Sequence, residues 1–489
     1  MPAPRPESPD TARRRLVAAL VGLDPVIGDL AARFRAAGHE LVLVGGPVRD
    51  ALLGRTSPDL DFTTDARPER TLPLLRSWGD AHWDIGKEFG TIGARRGDLV
   101  VEVTTYRSDN YAPSSRKPEV RFGNSLEEDL GRRDFTMNAM AVRLPELTFV
   151  DPYGGLDDLL DRRLRTPGSP EVSFTDDPLR MMRAARFVAQ LQVRPDDAVL
   201  AAIRGLSARI DIVAAERVRA ELEKLLLAGH PRDGLNLLVD SGLADQVLPE
   251  VSAMRLEIDE HHRHKDVYEH SLTVLDQAIS LESGPDGPVP GPDLVLRLAA
   301  LLHDIGKPVT RKFEPGGGVS FHHHEMVGAK LATKRLRALR FDKETITQVS
   351  RLIQLHLRFH GYGEGEWTDS AVRRYVADAG PQLDRLHRLT RADCTTMNRR
   401  KAVRLANAYD DLERRITELD AAEELRAVRP DLDGNAIMEI LGIPPGREVG
   451  QAWRHLKEVR LERGPLDPDE ARTELLTWWE RRGTAGTAD

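Results

Sequence analysis

Leu43-Val44-Gly45-Gly46-Pro47-Val48-Arg49-Asp50, followed by Asp59-Leu60-Asp61, is the stretch on which the fold turns. Glu40 to Val44 is a short apolar run stopped by a glycine pair, which predicts a buried strand. A helix is predicted next, from about Pro47 to Leu53. Glycines between a strand and a helix let backbone N–H groups approach phosphate oxygens, and the helix N-terminus adds favourable partial charge. Asp59 and Asp61 stand at i and i+2, positions that share one face of a strand. Two carboxylates there can hold one or two hard cations such as Mg²⁺, the arrangement needed to activate a 3′-hydroxyl and neutralise a triphosphate. Gly-Gly is common in turns and Asp-x-Asp on solvated edges, so the signal lies in their order and spacing. Glu102, a charge inside the β-branched run Val101-Glu102-Val103, is a candidate third carboxylate. Neither GxxxxGK[ST] nor GxGxxG occurs, which disfavours a P-loop ATPase or a Rossmann enzyme.

Outward from this stretch, helical spacing over residues 16–36 precedes the first strand. Short strands are predicted again at Leu60–Thr63, Gly90–Arg95 and Leu99–Thr105. To about residue 150 the pattern is therefore α+β with a small mixed sheet. From Pro178 onward the sequence predicts amphipathic helices and almost no strand. Breakers cluster at Gly284–Pro292, Phe313–Val319 and Pro430–Pro445. A chain of 489 residues fits three or four domains. The net charge of −8 means that any RNA contact must come from a local basic patch. Aromatics at 5% argue against single-strand stacking platforms. A single cysteine, Cys394, excludes an internal disulfide and a Cys-rich zinc module, and fits a reducing cytoplasm. No apolar run approaches the roughly 18 residues of a membrane span. Met1–Arg15, rich in Pro and Arg, reads as a frayed tail.

Several blocks carry a family resemblance. Gly45-Gly46-Pro47-Val48-Arg49-Asp50, Gly54-Arg55 and Asp59-Leu60-Asp61 are followed by Arg132-Arg133-Asp134-Phe135-Thr136-Met137-Asn138-Ala139. Asp151-Pro152-Tyr153-Gly154-Gly155, Asp177-Pro178-Leu179-Arg180 and Glu216-Arg217-Val218 complete the set. Together they resemble the bacterial tRNA nucleotidyltransferase / poly(A) polymerase family. The resemblance implies a nucleotidyltransferase head over residues 16–165, behind a disordered tail over 1–15, and a helical neck over 166–255. It implies Asp59 and Asp61 as the metal ligands, Mg²⁺ being the expected cation, and Glu102 joins them as the candidate third carboxylate read from its strand. Arg132, Arg133, Asp134 and Asn138 are the implied contacts to ribose and triphosphate, and Gly45, Gly46 and Arg49 at the glycine turn are expected to bind the nucleotide with them. Arginines suit that task as bidentate phosphate partners, although on a solvated helix face they need no such role.

Asp177 and Arg180, at i and i+3, would share one helix face. One accepts and the other donates, so together they could read the Watson–Crick edges of C and A and reject G and U. The resemblance implies this protein-as-template role, and the plainer reading is a salt bridge at a helix start. The usual Glu before this Asp is Asp176 here. Arg183 and Arg186 continue the stripe along the nucleotide or RNA path. Tyr106–Phe122, polar and breaker-rich, reads as a surface loop and resembles the family's mobile loop that helps switch from C to A addition.

Ten of the 15 histidines fall between His261 and His360. Within that stretch His303-Asp304-Ile305-Gly306-Lys307 resembles the HD family of metal phosphohydrolases. The matching series is His270, His303, Asp304, His324, His356 and Asp393, with His324 preferred to His322 and His323. Such ligands suit a transition metal, and two metals could activate a water against a phosphate ester. The bland alternative is a helical module that binds no metal and only carries RNA. The HD domain is expected over 256–410 and a helical tail over 411–489, with Arg399-Arg400-Lys401-Ala402-Val403-Arg404 able to meet phosphates or simply to face solvent.

The resemblance implies a CTP- and ATP-dependent enzyme that builds or repairs the 3′-terminal CCA of tRNA without a nucleic-acid template. An HD phosphohydrolase activity would accompany it. Poly(A) polymerase is the alternative within the class. Outside it stand a metallophosphohydrolase with a secondary head and a non-catalytic RNA-binding protein, the last disfavoured by intact Asp59 and Asp61.

Overall fold

In a computed structural model of the chain, residues 8–55, 59–110, 119–123, 125–255, 266–315, 318–362, 367–396, 398–423 and 429–485 are described. The chain divides into two compact units, Met1–Pro249 and Glu250–Asp489.

The first unit starts earlier than its sequence suggests. Helix α1 runs Pro9–Ala36, so residues 9–15 belong to it and not to a frayed tail. Ser8 caps it by accepting from the Thr11 N–H, and Pro9 fills the first turn, where its missing donor costs nothing. Ala12, Leu16 and Leu20, four apart, form its buried stripe.

Strand β1 (Leu41–Val44) is buried on both faces, which explains its unbroken apolar run. Gly45 then turns the chain at φ +75°, a backbone angle that favours glycine, into α2 (Gly46–Leu52). Strand β2 (Asp59–Thr64) buries Leu60 and Phe62 and exposes Asp59 and Asp61. After α3 (Pro68–Trp78) come β3 (Ala81–Trp83), β4 (Thr91–Arg96) and β5 (Leu99–Thr105).

The stretch read as a plain loop contains an antiparallel hairpin of β6 (Arg107–Asn110) and β7 (Glu119–Phe122). Residues 111–118 of it lie outside the described residues. Helix α4 (Leu126–Gly131), β8 (Ala141–Leu144) and β9 (Thr148–Val150) complete the head. The sheet order is β3-β4-β5-β2-β1-β8-β9. Only β2 and β5 pair in parallel, so the sheet is mixed as expected. Leu126 and Leu130 of α4 pack with Val42, Val44 and Tyr106 on one face of it.

Helices follow: α5 (Gly155–Leu160), α6 (Pro170–Asp176), α7 (Leu179–Leu191), α8 (Asp197–Leu206), α9 (Ala215–Leu226) and α10 (Pro231–Asp240). Helix α7 packs against both α9 and α10, which accounts for its wide apolar face.

Among its described residues the second unit is mostly helical, and residues 312–314 and 318–320 pair as an antiparallel hairpin where the sequence predicted only a break. Residues 316 and 317 between its strands lie outside the described residues. The helices Val267–Ser280, Leu294–Leu302, His324–Ala338, Lys343–Leu355 and Leu383–Asp393 carry the histidines and aspartates of the HD series or end beside them. The last three helices gather Ile437, Ala452, Leu456 and Leu475 into a small core of their own. Among the described residues no helix is long and apolar enough to cross a membrane.

Candidate active site and metal centre

The carboxylates come together on neighbouring strands. Parallel pairing of β2 with β5 sets Asp61 directly beside Glu102, and Asp59 shares their face two residues away. Although Asp61 faces the open cleft, the protein around it displaces water, and chiefly for that reason its carboxyl is held above the ordinary range. Arg133 opposes the shift, Asp59 adds repulsion and Arg183 opposes it again. Burial likewise raises Glu102, reinforced by repulsion from Asp61 and Asp59 and opposed by the Trp83 indole N–H. Acids that disfavour one another's charge in this way form a site that a divalent cation would satisfy.

A cleft of 350 Å³ opens over Asp61. It is lined by Gly45, Gly46, Arg49, Arg132, Arg133, Asp134, Asn138, Asp177, Arg180, Arg183 and Arg186, with Phe187 beside them. Every nucleotide-contacting residue expected from the sequence is therefore in one place. Gly45 suits the position by its positive φ, and a Cβ there would stand 2.9 Å from the Arg133 guanidinium and push it aside.

The arginines are not loose. Arg49 donates to both Asp50 oxygens and to Asn138 Oδ1. Asn138 in turn donates to Asp134, which also accepts from Arg183 at 2.7 Å. Burial would raise the Asp134 pKa, but the Arg183 charge and these hydrogen bonds hold it well below the usual range. Asp134 thus organises Arg183 and Asn138. Arg186 is half of a buried pair with Glu221, at 2.6 Å. Its guanidinium also lies 4.1 Å from the centre of the Phe187 ring.

Asp177 and Arg180 line the cleft without bonding to each other through their side chains. Asp177 is not on the helix: it is the extended residue between α6 and α7, and it caps α7 by accepting from the Leu179 N–H. It also lies 3.7 Å from Arg217. Arg180 donates to the Ser173 hydroxyl at 2.7 Å and to the Arg132 carbonyl at 2.6 Å. The shared helix face and the helix-start salt bridge both give way to this tethered arrangement, because Pro178 begins the helix only after Asp177.

One functional residue was missed. Asp129, fully buried, accepts from Arg132 and Arg133, from the Thr63 hydroxyl on β2 and from the Arg107 N–H at the root of the β6–β7 hairpin. Burial pushes its pKa up, but the two guanidiniums and the hydrogen bonds hold it below the ordinary carboxylate range. Within Leu126-Glu127-Glu128-Asp129 it looks like one more solvated acid, and only its place four before Arg133 hinted otherwise. A depressed folded pKa means that Asp129 stabilises the fold above about pH 4 and that this contribution is lost as pH falls further. Asp129→Ala leaves the two arginines without their counter-charge and should cost about 3–5 kcal/mol in urea unfolding at neutral pH. An unchanged unfolding midpoint would refute the clamp.

In the second unit the six expected ligands also converge. His270 Nε2 lies 2.9 Å from Asp393 Oδ1, and His303 Nε2 lies 3.3 Å from Asp304 Oδ2. Asp304 is shared by two groups of ligand atoms, one with His270 and His303 and one with His324 and His356. His322 and His323 are exposed while His324 is buried, so geometry selects His324. His303, His324 and His356 each present Nδ1 to a backbone carbonyl three residues earlier, at 2.9, 2.8 and 2.7 Å. With the proton on Nδ1, each ring turns Nε2 toward the centre, where its lone pair could serve a cation. His324 Nε2 and Asp304 Oδ1, buried and 3.2 Å apart, have no hydrogen bond. Two acceptors facing each other in this way fit a shared cation.

A cleft lined by arginines over paired carboxylates, on a mixed sheet, fits a nucleotidyltransferase head. The poly A polymerase head domain matches residues 41–165, the probable RNA- and SrmB-binding site of polymerase A matches 193–254, and the HD domain matches 267–398. The A-adding tRNA nucleotidyltransferase of Deinococcus radiodurans is 33% identical over 90% of this chain and 95% of its own length. The CC-adding tRNA nucleotidyltransferase of Thermus thermophilus is 32% identical over 89% and 93%. The crystal structure of the Bacillus stearothermophilus CCA-adding enzyme in complex with CTP shares the fold, with a TM-score of 0.67 at 23% identity over 94% of this chain and 99% of that one. The chain belongs to the tRNA nucleotidyltransferase / poly(A) polymerase family and is an HD-domain-containing nucleotidyltransferase.

Proposed function

We propose that the chain adds C and A to the 3′ end of tRNA, from CTP and ATP, and so builds or repairs the terminal CCA. The cleft that unites Asp61 with Arg132, Arg133 and the Asp177/Arg180 pair carries this reading. Asp59, Asp61 and Glu102 would hold Mg²⁺, which supplies charge neutralisation at the reacting phosphate. The acceptor 3′-hydroxyl attacks the α-phosphorus and pyrophosphate leaves. Arg132 and Arg133, held by Asp129, face the triphosphate with donors in fixed directions. Arg180 has donors left over after its two tethers, and Asp177 offers the acceptor. Cytosine and adenine each present one acceptor and one donor to such a pair. The head over 16–165, the neck over 166–255, the HD domain over 256–410 and the tail over 411–489 are the parts of this reading. In it the HD ligands hold a transition metal and hydrolyse a phosphate ester, and a reducing cytoplasm is the setting.

Because two near-full-length relatives are named for adding only A or only CC, addition of a subset is a second reading. Transcripts of tRNA ending at the discriminator base, after one C and after both, incubated with each single NTP, separate the readings. C on the first two and A on the third support CCA addition. A on the third alone makes the protein an A-adding enzyme, and long A tails make it a poly(A) polymerase.

Arg180→Ala tests base choice. The triphosphate and carboxylate sites remain, so addition should persist while discrimination against U and G falls by about ten- to a hundredfold, the worth of one bidentate contact. Unchanged ratios of C to U and of A to G would reduce Arg180 to a structural tether.

A further inference from the structure

One row of paired residues crosses four strands of the head. Trp83 on β3 opposes Gly93 on β4, Gly93 opposes Glu102 on β5, and Glu102 lies beside Asp61 on β2. Residues paired in this way project from the same face of a sheet. Two strand spacings, about 10 Å, separate the backbone of Trp83 from that of Glu102. The indole spans that gap only because nothing stands on Gly93: a Cβ there would lie 2.1 Å from both Cε2 and Nε1 of the ring. Gly93 is buried beneath the half-exposed tryptophan. A glycine inside a strand marks such a close approach. The ring, with Nε1 lying over Gly93, thus reaches toward Glu102 on the next strand.

We propose that Trp83 is a positioning residue for nucleotide transfer: lying over Gly93, it donates its indole N–H to Glu102 and fixes that carboxylate beside Asp61. Indole has one donor and no acceptor, so it can engage one Glu102 oxygen and leave the other turned toward Asp59 and Asp61. A glutamate side chain left to itself samples several rotamers, and each divalent cation bound would have to order it anew. The inference rests on the metal-holding role proposed above for Asp59, Asp61 and Glu102.

The test is a double-mutant cycle of Trp83→Phe and Glu102→Gln, each alone and combined, in the full-length chain. Phe keeps an aromatic surface over Gly93 and removes the donor. The half-saturating Mg²⁺ concentration for nucleotide addition should rise about tenfold in Trp83→Phe, as expected for the loss of one hydrogen bond to a charged group. The KM for CTP should stay within about twofold, since the bond touches no nucleotide group. In the Glu102→Gln background, Trp83→Phe should add nothing. Mn²⁺ binding without RNA or nucleotide, followed by electron paramagnetic resonance in chains that also carry Asp304→Ala to silence the second unit, should weaken by the same factor. Gly93→Ala, which pushes the ring off the strand, should reproduce the effect. If Glu102→Gln leaves both metal readouts unchanged, the metal-holding role of Glu102 is wrong. If Glu102→Gln weakens both and Trp83→Phe weakens neither, or if the two effects simply add, the positioning role of Trp83 is wrong.

Discussion

Asp61→Ala is expected to abolish nucleotide addition while leaving the head folded. Asp61 stands on the exposed side of β2, and the residues that anchor the strand, Leu60 and Phe62, face the other way. Removing the carboxylate therefore takes away no core contact. It does remove the acid paired beside Glu102, and with it the site for cations at the reacting phosphate. The loss should be at least about a thousandfold, matching the several kcal/mol that a metal ion contributes to such a transition state. Asp59→Ala should behave alike. Circular dichroism and thermal melting confirm the fold, and addition of labelled CTP to tRNA gives the rate. A near wild-type rate in either variant would sink the assignment of the head.

Replacing His303 and Asp304 together with alanine should strip transition metal from the second unit and remove any phosphohydrolase activity. Asp304 belongs to both ligand groups, so its loss dismantles both halves of the site. His303 contributes a fully buried Nε2. Nucleotide addition should survive, because none of the cleft residues in the head is touched. Metal content by mass spectrometry and hydrolysis of a phosphodiester probe are the two readouts. Wild-type protein that holds no transition metal after metal-replete expression would end the hydrolase reading.

Much of the head was legible because its signals are local. The β1 run, the Gly45-Gly46 turn and Asp59-Leu60-Asp61 each announce themselves within a few residues. What stayed hidden depends on partners far along the chain. Asp129 is indistinguishable in sequence from Glu127 and Glu128 until Thr63, Arg132 and Arg133 close around it. Glu221 acquires its meaning from Arg186, on another helix. Helix α1 was cut short because proline and arginine suggest a tail, whereas Ser8 and Pro9 form a helix start. The pairing of residues 312–314 with 318–320 was missed because three-residue strands around glycines show no periodicity. The six residues of the HD series could be singled out because ten histidines crowd into one stretch and His303 adjoins Asp304, even though some of the six lie more than a hundred residues apart.

Each of His303, His324 and His356 is aimed by a carbonyl in its own preceding turn of chain. Aim is thus inherited with the segment and owes nothing to the rest of the scaffold. The remaining fold has only to keep the ends of the ligand-bearing helices at the right separation. Sequence elsewhere in those helices can drift widely so long as that spacing holds. A centre wired in this way is robust to substitution at a distance and vulnerable to insertion or deletion of a single residue beside a ligand, which would turn the ring away from its partners.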